Sequence, residues 1–114
     1  MDPEIIATTY FDSWNRRDFD RLRTILAEDV TFSGPMGTSA SGADEYVASL
    51  AAFAESLVGV SVEKMVADDD DVLTWFELHP KDGDPVPVVN WCHVEDGRVA
   101  QVRVTFDARP LLSR

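Results

Sequence analysis

The order of apolar and polar positions divides the chain into a helical half and a strand half. Near the start, Ile6, Tyr10 and Trp14 recur at every fourth position, which is one stripe of a helix. Asp2 followed by Pro3 supplies a cap and a residue preset for a first turn, so the pattern predicts a helix from there to about Asn15. Asp18 can cap a second, short helix in which Phe19, Leu22, Ile25 and Leu26 keep helical spacing, ending near Glu28. Val30-Thr31-Phe32 is a brief β-prone run stopped by Gly34-Pro35, and the Gly-, Ser- and Thr-rich stretch to Gly42 reads as a loop. Ser41 with Asp44 three residues later has the spacing of a capping box. Behind it Val47, Leu50, Ala51, Ala54 and Leu57 predict the apolar face of a third helix.

From Val58 the period becomes two, with Val58, Val60 and Val62 alternating against Gly59, Ser61 and Glu63. Asp68 to Asp71 reads as a polar turn, Val72 to His79 as a strand, Pro80 to Pro85 as a second turn and Val86 to Glu95 as a further strand. Asp96-Gly97 is a two-residue hairpin signal leading into a last strand from Arg98 to Phe106. The expected class is therefore α+β, with three N-terminal helices packed on one face of a curved antiparallel sheet and a cone-shaped cavity between the layers. Neither repeat nor linker interrupts residues 1–114, which are expected to form a single domain.

Composition narrows the chemistry. Hydrophobic residues make up 45% of the chain, with three Trp and six Phe, which excludes a disordered tail. Folding a chain of this length hides about two-thirds of its surface, enough for a core without staples. Twenty-one acidic side chains against ten Lys and Arg give a net charge of −11, a field that repels phosphate backbones and anionic lipid surfaces. Nucleic acid and membranes are thus not expected as partners. Cys92 is the single cysteine, so no disulfide can close within the chain, and a reducing cytoplasmic location is expected. The opening Met1-Asp2-Pro3-Glu4 lacks the basic and apolar regions of a signal peptide. His79 and His93 are the only histidines and stand in no metal-ligand spacing, so no metal is expected. The Asp68–Asp71 run lacks the alternating spacing of a calcium loop, and Gly34, Gly37 and Gly42 are not followed by the Lys-Ser/Thr of a phosphate loop.

The run from Tyr10 to Asp20, YFDSWNRRDFD, and that from Leu26 to Gly37, LAEDVTFSGPMG, resemble the nuclear transport factor 2-like (cystatin-like) superfamily. Within it the chain is most similar to ketosteroid isomerase and the SnoaL-like polyketide cyclases, over Glu4 to Leu112. The resemblance implies a small-molecule enzyme of the isomerase, cyclase or dehydratase kind, acting without cofactor on an apolar carbonyl compound in a hydrophobic cavity. Tyr10 falls on the tyrosine of the isomerase oxyanion hole, and Asn90 on the protonated aspartate that shares the oxyanion. An asparagine amide donates at every pH, so this pair can polarise a carbonyl. Gly34 falls where the isomerase carries its general base, and that group is therefore missing. The resemblance also implies cavity walls from Trp14, Phe32, Met36, Phe53, Trp75, Cys92, Val102, Val104 and Phe106.

Several alternatives stay open on the residues alone. Tyr10 suits a core position on an amphipathic helix as well as a site. Trp75, Glu77 and His79 alternate with Thr74, Phe76 and Leu78. If the Glu77 set faces inward, Glu77 or His79 supplies a replacement base beside Tyr10 and Asn90; if outward, both are solvated or interfacial. Trp91 and His93 alternate with Asn90 and Cys92 and are expected on the convex face, where this superfamily commonly pairs as a homodimer. The competing function is a non-catalytic ligand-binding or dimerisation module of the same fold. Epoxide hydrolysis, which needs an Asp-Arg-Asp set, is disfavoured because Arg103 shares no strand face with Phe106.

Overall fold

Helix α1 spans Pro3–Asn15, and the Asp2 carboxylate accepts the Glu4 N–H at 2.9 Å to cap it as expected. It buries Ile6, Ala7, Tyr10, Phe11 and Trp14 against the sheet. Helix α2, Phe19–Thr24, is capped by Asp18 but ends four residues earlier than helical spacing suggests. Leu26 instead opens an eight-residue strand β1, Leu26–Ser33, where the short run Val30–Phe32 was expected. Pairing decides this: Ile25 C=O accepts the Val99 N–H at 2.8 Å, and Leu26 lies opposite Val99. The computed structural model describes residues 2–112; Met1, Ser113 and Arg114, which the expected domain 1–114 includes, lie outside the described residues.

The Gly- and Ser-rich stretch is not all loop, because Ser39–Ser41 form a short strand β2 against β1. Helix α3, Ala43–Ala54, begins after Gly42, whose φ of 90° needs a residue without a side chain. The expected capping box is displaced by one residue. Glu45, not Asp44, reaches back to accept the Ser41 N–H at 2.6 Å, while Asp44 pairs with Arg23 at 2.9 Å. The buried stripe of α3 runs through Ala43, Tyr46, Leu50 and Ala54, so Val47 lies at its edge. Arg17 donates to the Ala54 and Leu57 carbonyls at 3.0 and 2.7 Å, tying down the end of this helix.

Strands β3 (Leu57–Asp68), β4 (Asp71–Pro80), β5 (Val86–Glu95) and β6 (Arg98–Phe106) form the expected meander. A short helix α4, Arg109–Leu112, follows. The strand order is β2-β1-β6-β5-β4-β3, antiparallel except for the parallel pair β1–β6. Asp96 and Gly97 have φ of 51° and 75°, the two positive angles of the hairpin turn read from sequence. The alternation of Val58, Val60 and Val62 does not survive intact, because the register of β3 on β4 slips at Val58 and again at Glu63. Val60 is buried, whereas Val58 and Val62 are exposed. Gly59 permits a close approach, since a Cβ there would stand 2.6 Å from Asn15 Oδ1, which accepts the Val60 N–H.

The helices cover the inner face of the curved, unclosed sheet. On β4 that face carries Val72, Thr74, Phe76 and Leu78, and on β5 Val88, Asn90, Cys92 and Val94. Phe76 receives Phe11 and Trp14, with ring centroids 4.9 and 5.7 Å away. Among the described residues no helix is long and apolar enough to cross a membrane.

Candidate functional site

The layers diverge toward α3 and β2 and leave a two-part cavity. An outer chamber of about 460 Å³ opens between α3, the Pro35–Ala40 segment and the end of β6. A narrow inner chamber of about 60 Å³ continues between α1 and the sheet. Phe32, Tyr46, Leu50, Phe53 and Phe106 line both and form the throat between them. The outer volume suits a compound of one or two rings, while the inner one admits little more than a polar end group.

Three polar side chains stand at the inner chamber. Tyr10 from α1 and Tyr46 from α3 hydrogen-bond through their hydroxyls, and both are buried. Asn90 from β5 lies opposite Thr74 on β4 and Val104 on β6. Its Oδ1 accepts from the Cys92 thiol at 3.0 Å, and its Nδ2, although near enough to Tyr10 to ease the ionisation of that hydroxyl, completes no hydrogen bond within the protein. Burial pushes the Tyr10 hydroxyl well above the ordinary tyrosine range, opposed in part by Tyr46 and Asn90. Burial also raises Tyr46, so both remain hydroxyls at neutral pH. Two hydroxyl hydrogens and one mutual bond leave one hydroxyl hydrogen for a guest, and Asn90 adds its free N–H groups. All of these donors line the same small chamber.

Tyr10, Trp14, Phe32, Phe53, Asn90, Val104 and Phe106 all line the inner chamber, and Met36 lines the outer one. Cys92 and Val102 are buried on the same sheet face but lie outside the lining of both chambers. Three expectations need correction. Trp75, Glu77 and His79 point to the convex face, because Thr74, Phe76 and Leu78 take the buried positions of β4. Trp75 is 51% exposed and no cavity wall, and the His79 imidazole hydrogen-bonds Ser61 Oγ at 2.7 Å on β3. Neither Glu77 nor His79 is within the cavity to act as a base. Tyr46 joins the site beyond the residues expected from sequence, and the spacing of Ala43, Tyr46, Leu50 and Ala54 carries its signal.

No carboxylate, imidazole or amine stands among the described residues lining either chamber. Gly34, where the resemblance would put the isomerase's base, has no room for a side chain without local adjustment. Its φ of −141° is ordinary extended backbone, but a Cβ there would lie 2.8 Å from Thr38 Oγ1 and 2.9 Å from Phe32 Cζ. The chain's own packing fills the place where a carboxylate would enter. Among the described residues no three His, Cys, Asp or Glu side chains gather so as to hold a metal ion. Arg103 lies on the convex face, its guanidinium 4.8 Å over the Trp91 ring, far in role from a water-activating set.

A SnoaL-like domain family model matches residues 7–102. No curated protein matches the chain. Among solved structures, a protein of Kribbella flavida superposes with a TM-score of 0.87 at 29% identity, over 95% of this chain and 88% of that one. A nuclear transport factor 2-like protein of unknown function from Cytophaga hutchinsonii gives 0.86 at 25% identity, over 98% and 96%. An epoxide hydrolase of Mycobacterium tuberculosis, of the limonene epoxide hydrolase-like kind, gives 0.81 at 19% identity, over 97% and 86%, a likeness of fold alone.

Proposed function

Because the chain belongs to the SnoaL-like domain family, whose fold serves more than one chemistry, we propose that its cavity binds a small, largely apolar compound by a carbonyl or phenolic oxygen. In this reading that oxygen sits at the inner chamber and accepts from the Tyr10–Tyr46 hydroxyl pair and from Asn90, while the apolar body fills the outer chamber. The observation that carries it is the lining itself: the hydroxyl pair and the Asn90 amide share one small chamber, and no group among the described lining residues is a base at neutral pH. Binding without chemistry is therefore favoured over the isomerase, cyclase or dehydratase reading, in which a base must take a proton beside the polarised carbonyl.

Calorimetric titration with 1-indanone and with indane, its counterpart without the oxygen, tests the proposal. The account expects 1-indanone to bind at least tenfold more tightly; equal affinities, or none for either, would overturn it. A β,γ-unsaturated ketone incubated with the protein should isomerise at the buffer rate, and turnover clearly above it would restore the enzyme reading.

We propose also that the partner is a second copy, docked through the convex sheet face. Val66, Leu73 and Trp91 lie in one row across β3, β4 and β5, with Trp75 beside them, and all four are exposed. A monomer mass by light scattering at micromolar concentration would refute it. A reducing cytoplasmic setting accords with Cys92 as a buried free thiol.

A further inference from the structure

We infer that Cys92 is a positioning residue: its thiol fixes which end of the Asn90 carboxamide faces the inner chamber, and so makes the cavity favour ligands that accept hydrogen bonds over ligands that only donate them. The selectivity rests on the ligand reading above, while the orientation of the amide does not.

The two ends of a carboxamide have nearly the same shape, so packing alone cannot choose between them. At Asn90 the choice has a large consequence, because the residue is 1% exposed and lines the chamber. Turned one way it presents NH2 to a guest, and turned the other way a carbonyl oxygen. Cys92 is two residues along β5, so both side chains leave the same face of the strand and lie side by side. The thiol donates to Oδ1 at 3.0 Å. Burial pushes that thiol up to about 12, so it keeps its hydrogen throughout the neutral range. The opposite orientation would give the thiol only an N–H to accept, and sulfur is a weak acceptor.

The cost of this choice is visible in the structure. Asn90 Nδ2 is buried with no protein partner, and Thr74 Oγ1, its cross-strand neighbour, is unpartnered too. Near as the NH2 is to the Tyr10 hydroxyl, whose pKa it draws down, it completes no hydrogen bond within the protein, a poor resting place for an amide free to turn. The thiol holds it there, and the unused donors await an acceptor brought by a ligand. Cys92 itself is outside the lining of both chambers, so it acts through Asn90 and not by touching the guest.

A hydrogen bond and a packing role predict opposite mutational series. Cys92→Val keeps an apolar side chain of similar bulk and removes the donor, whereas Cys92→Ser keeps the donor and is smaller. With the full chain labelled with 15N, nuclear Overhauser contacts of the Asn90 NH2 protons report the orientation directly. In the natural protein and Cys92→Ser they should run to the Tyr10 ring. In Cys92→Val, or in Cys92→Ala if the branched side chain does not fold, they should appear on both sides of the amide. Amide protons directed at Cys92 in the natural protein, or contacts unchanged in Cys92→Val and Cys92→Ala, would overturn the inference. The second readout is the affinity ratio of 1-indanone, an acceptor, to indole, a donor of similar shape. It should fall about tenfold in Cys92→Val and recover in Cys92→Ser; an unmoved ratio would overturn the selectivity. Loss of 1-indanone binding in the natural protein, with the amide contacts as expected, would instead count against the ligand reading and its selectivity while upholding the orienting role.

Discussion

Replacing Tyr10 by Phe removes one oxygen atom from the deepest part of the cavity and keeps the ring. The ring's contacts should persist, including those to Phe11 at 5.0 Å and Trp14 at 6.3 Å between centroids. What changes is the hydroxyl pair, because Tyr46 loses its buried partner and the chamber loses a donor. Tyr46 is buried, and losing its partner leaves its hydroxyl unsatisfied, so the stability cost should be about 1–2 kcal/mol, within the range for a buried polar group deprived of its hydrogen bond. For a chain of 114 residues that lowers the midpoint of thermal unfolding by about 4–8 °C. Binding of 1-indanone should weaken by about 1–3 kcal/mol, or about 5- to 150-fold in Kd by titration calorimetry. Indane, with no oxygen, should bind the two forms alike. Equal 1-indanone affinities for the natural protein and Tyr10→Phe would make Tyr10 a core residue only and refute the reasoning.

Other consequences follow from the same geometry. Glu77→Gln and His79→Gln lie on the convex face and should leave 1-indanone affinity within about twofold of the natural value; a larger loss in a folded variant would return them to the site. Gly34→Asp should cost about 1–3 kcal/mol, seen as a fall of about 4–12 °C in melting, because its Cβ meets Thr38 and Phe32; an unchanged melt would show that the base position is open. On the convex face the Trp91 indole and His93 hold the Asp71 carboxyl below its usual range, while Asp71, with Glu95 and Asp70 nearby, holds His93 above its own. Stability from His93 is full below the unfolded histidine value near ~6.5 and is lost as pH rises through the raised value. That from Asp71 is present above the unfolded carboxylate value and is lost as pH falls through the lowered one. Melting should therefore decline from pH 6 to 8 in the natural protein and less so in His93→Gln, and identical profiles would remove His93 as the cause.

Local signals in the sequence were reliable where one residue type answers one backbone need. Asp2-Pro3, Asp18 and Asp96-Gly97 each mark a boundary the structure keeps. What required the tertiary structure was partnership. Leu26 keeps the helical spacing of Phe19, Leu22 and Ile25, yet β6 draws it into a parallel pair, and the three residues of β2 become a strand only because β1 is beside them. The face of β4 was ambiguous because both of its faces hold large apolar side chains, Phe76 and Leu78 inside and Leu73 and Trp75 outside. That outer apolar strip hides the contrast on which alternation depends. On α3, Tyr46 and Val47 both fit the stripe through Leu50, and only packing against Phe32, ring to ring at 5.1 Å, selects Tyr46. The donor pair Tyr10 and Asn90 was legible through resemblance, while the third member of the cluster and the closed base position were not.

The carbonyl stretch of bound 1-indanone, labelled with 13C at the carbonyl and read by infrared difference spectroscopy, tests the central claim most directly. An oxygen held by Tyr10, Tyr46 and Asn90 should absorb at lower frequency than in a hydrocarbon solvent, and Tyr10→Phe should move the band part of the way back. A band at the hydrocarbon frequency in the natural protein, unmoved by the substitution, would contradict the account.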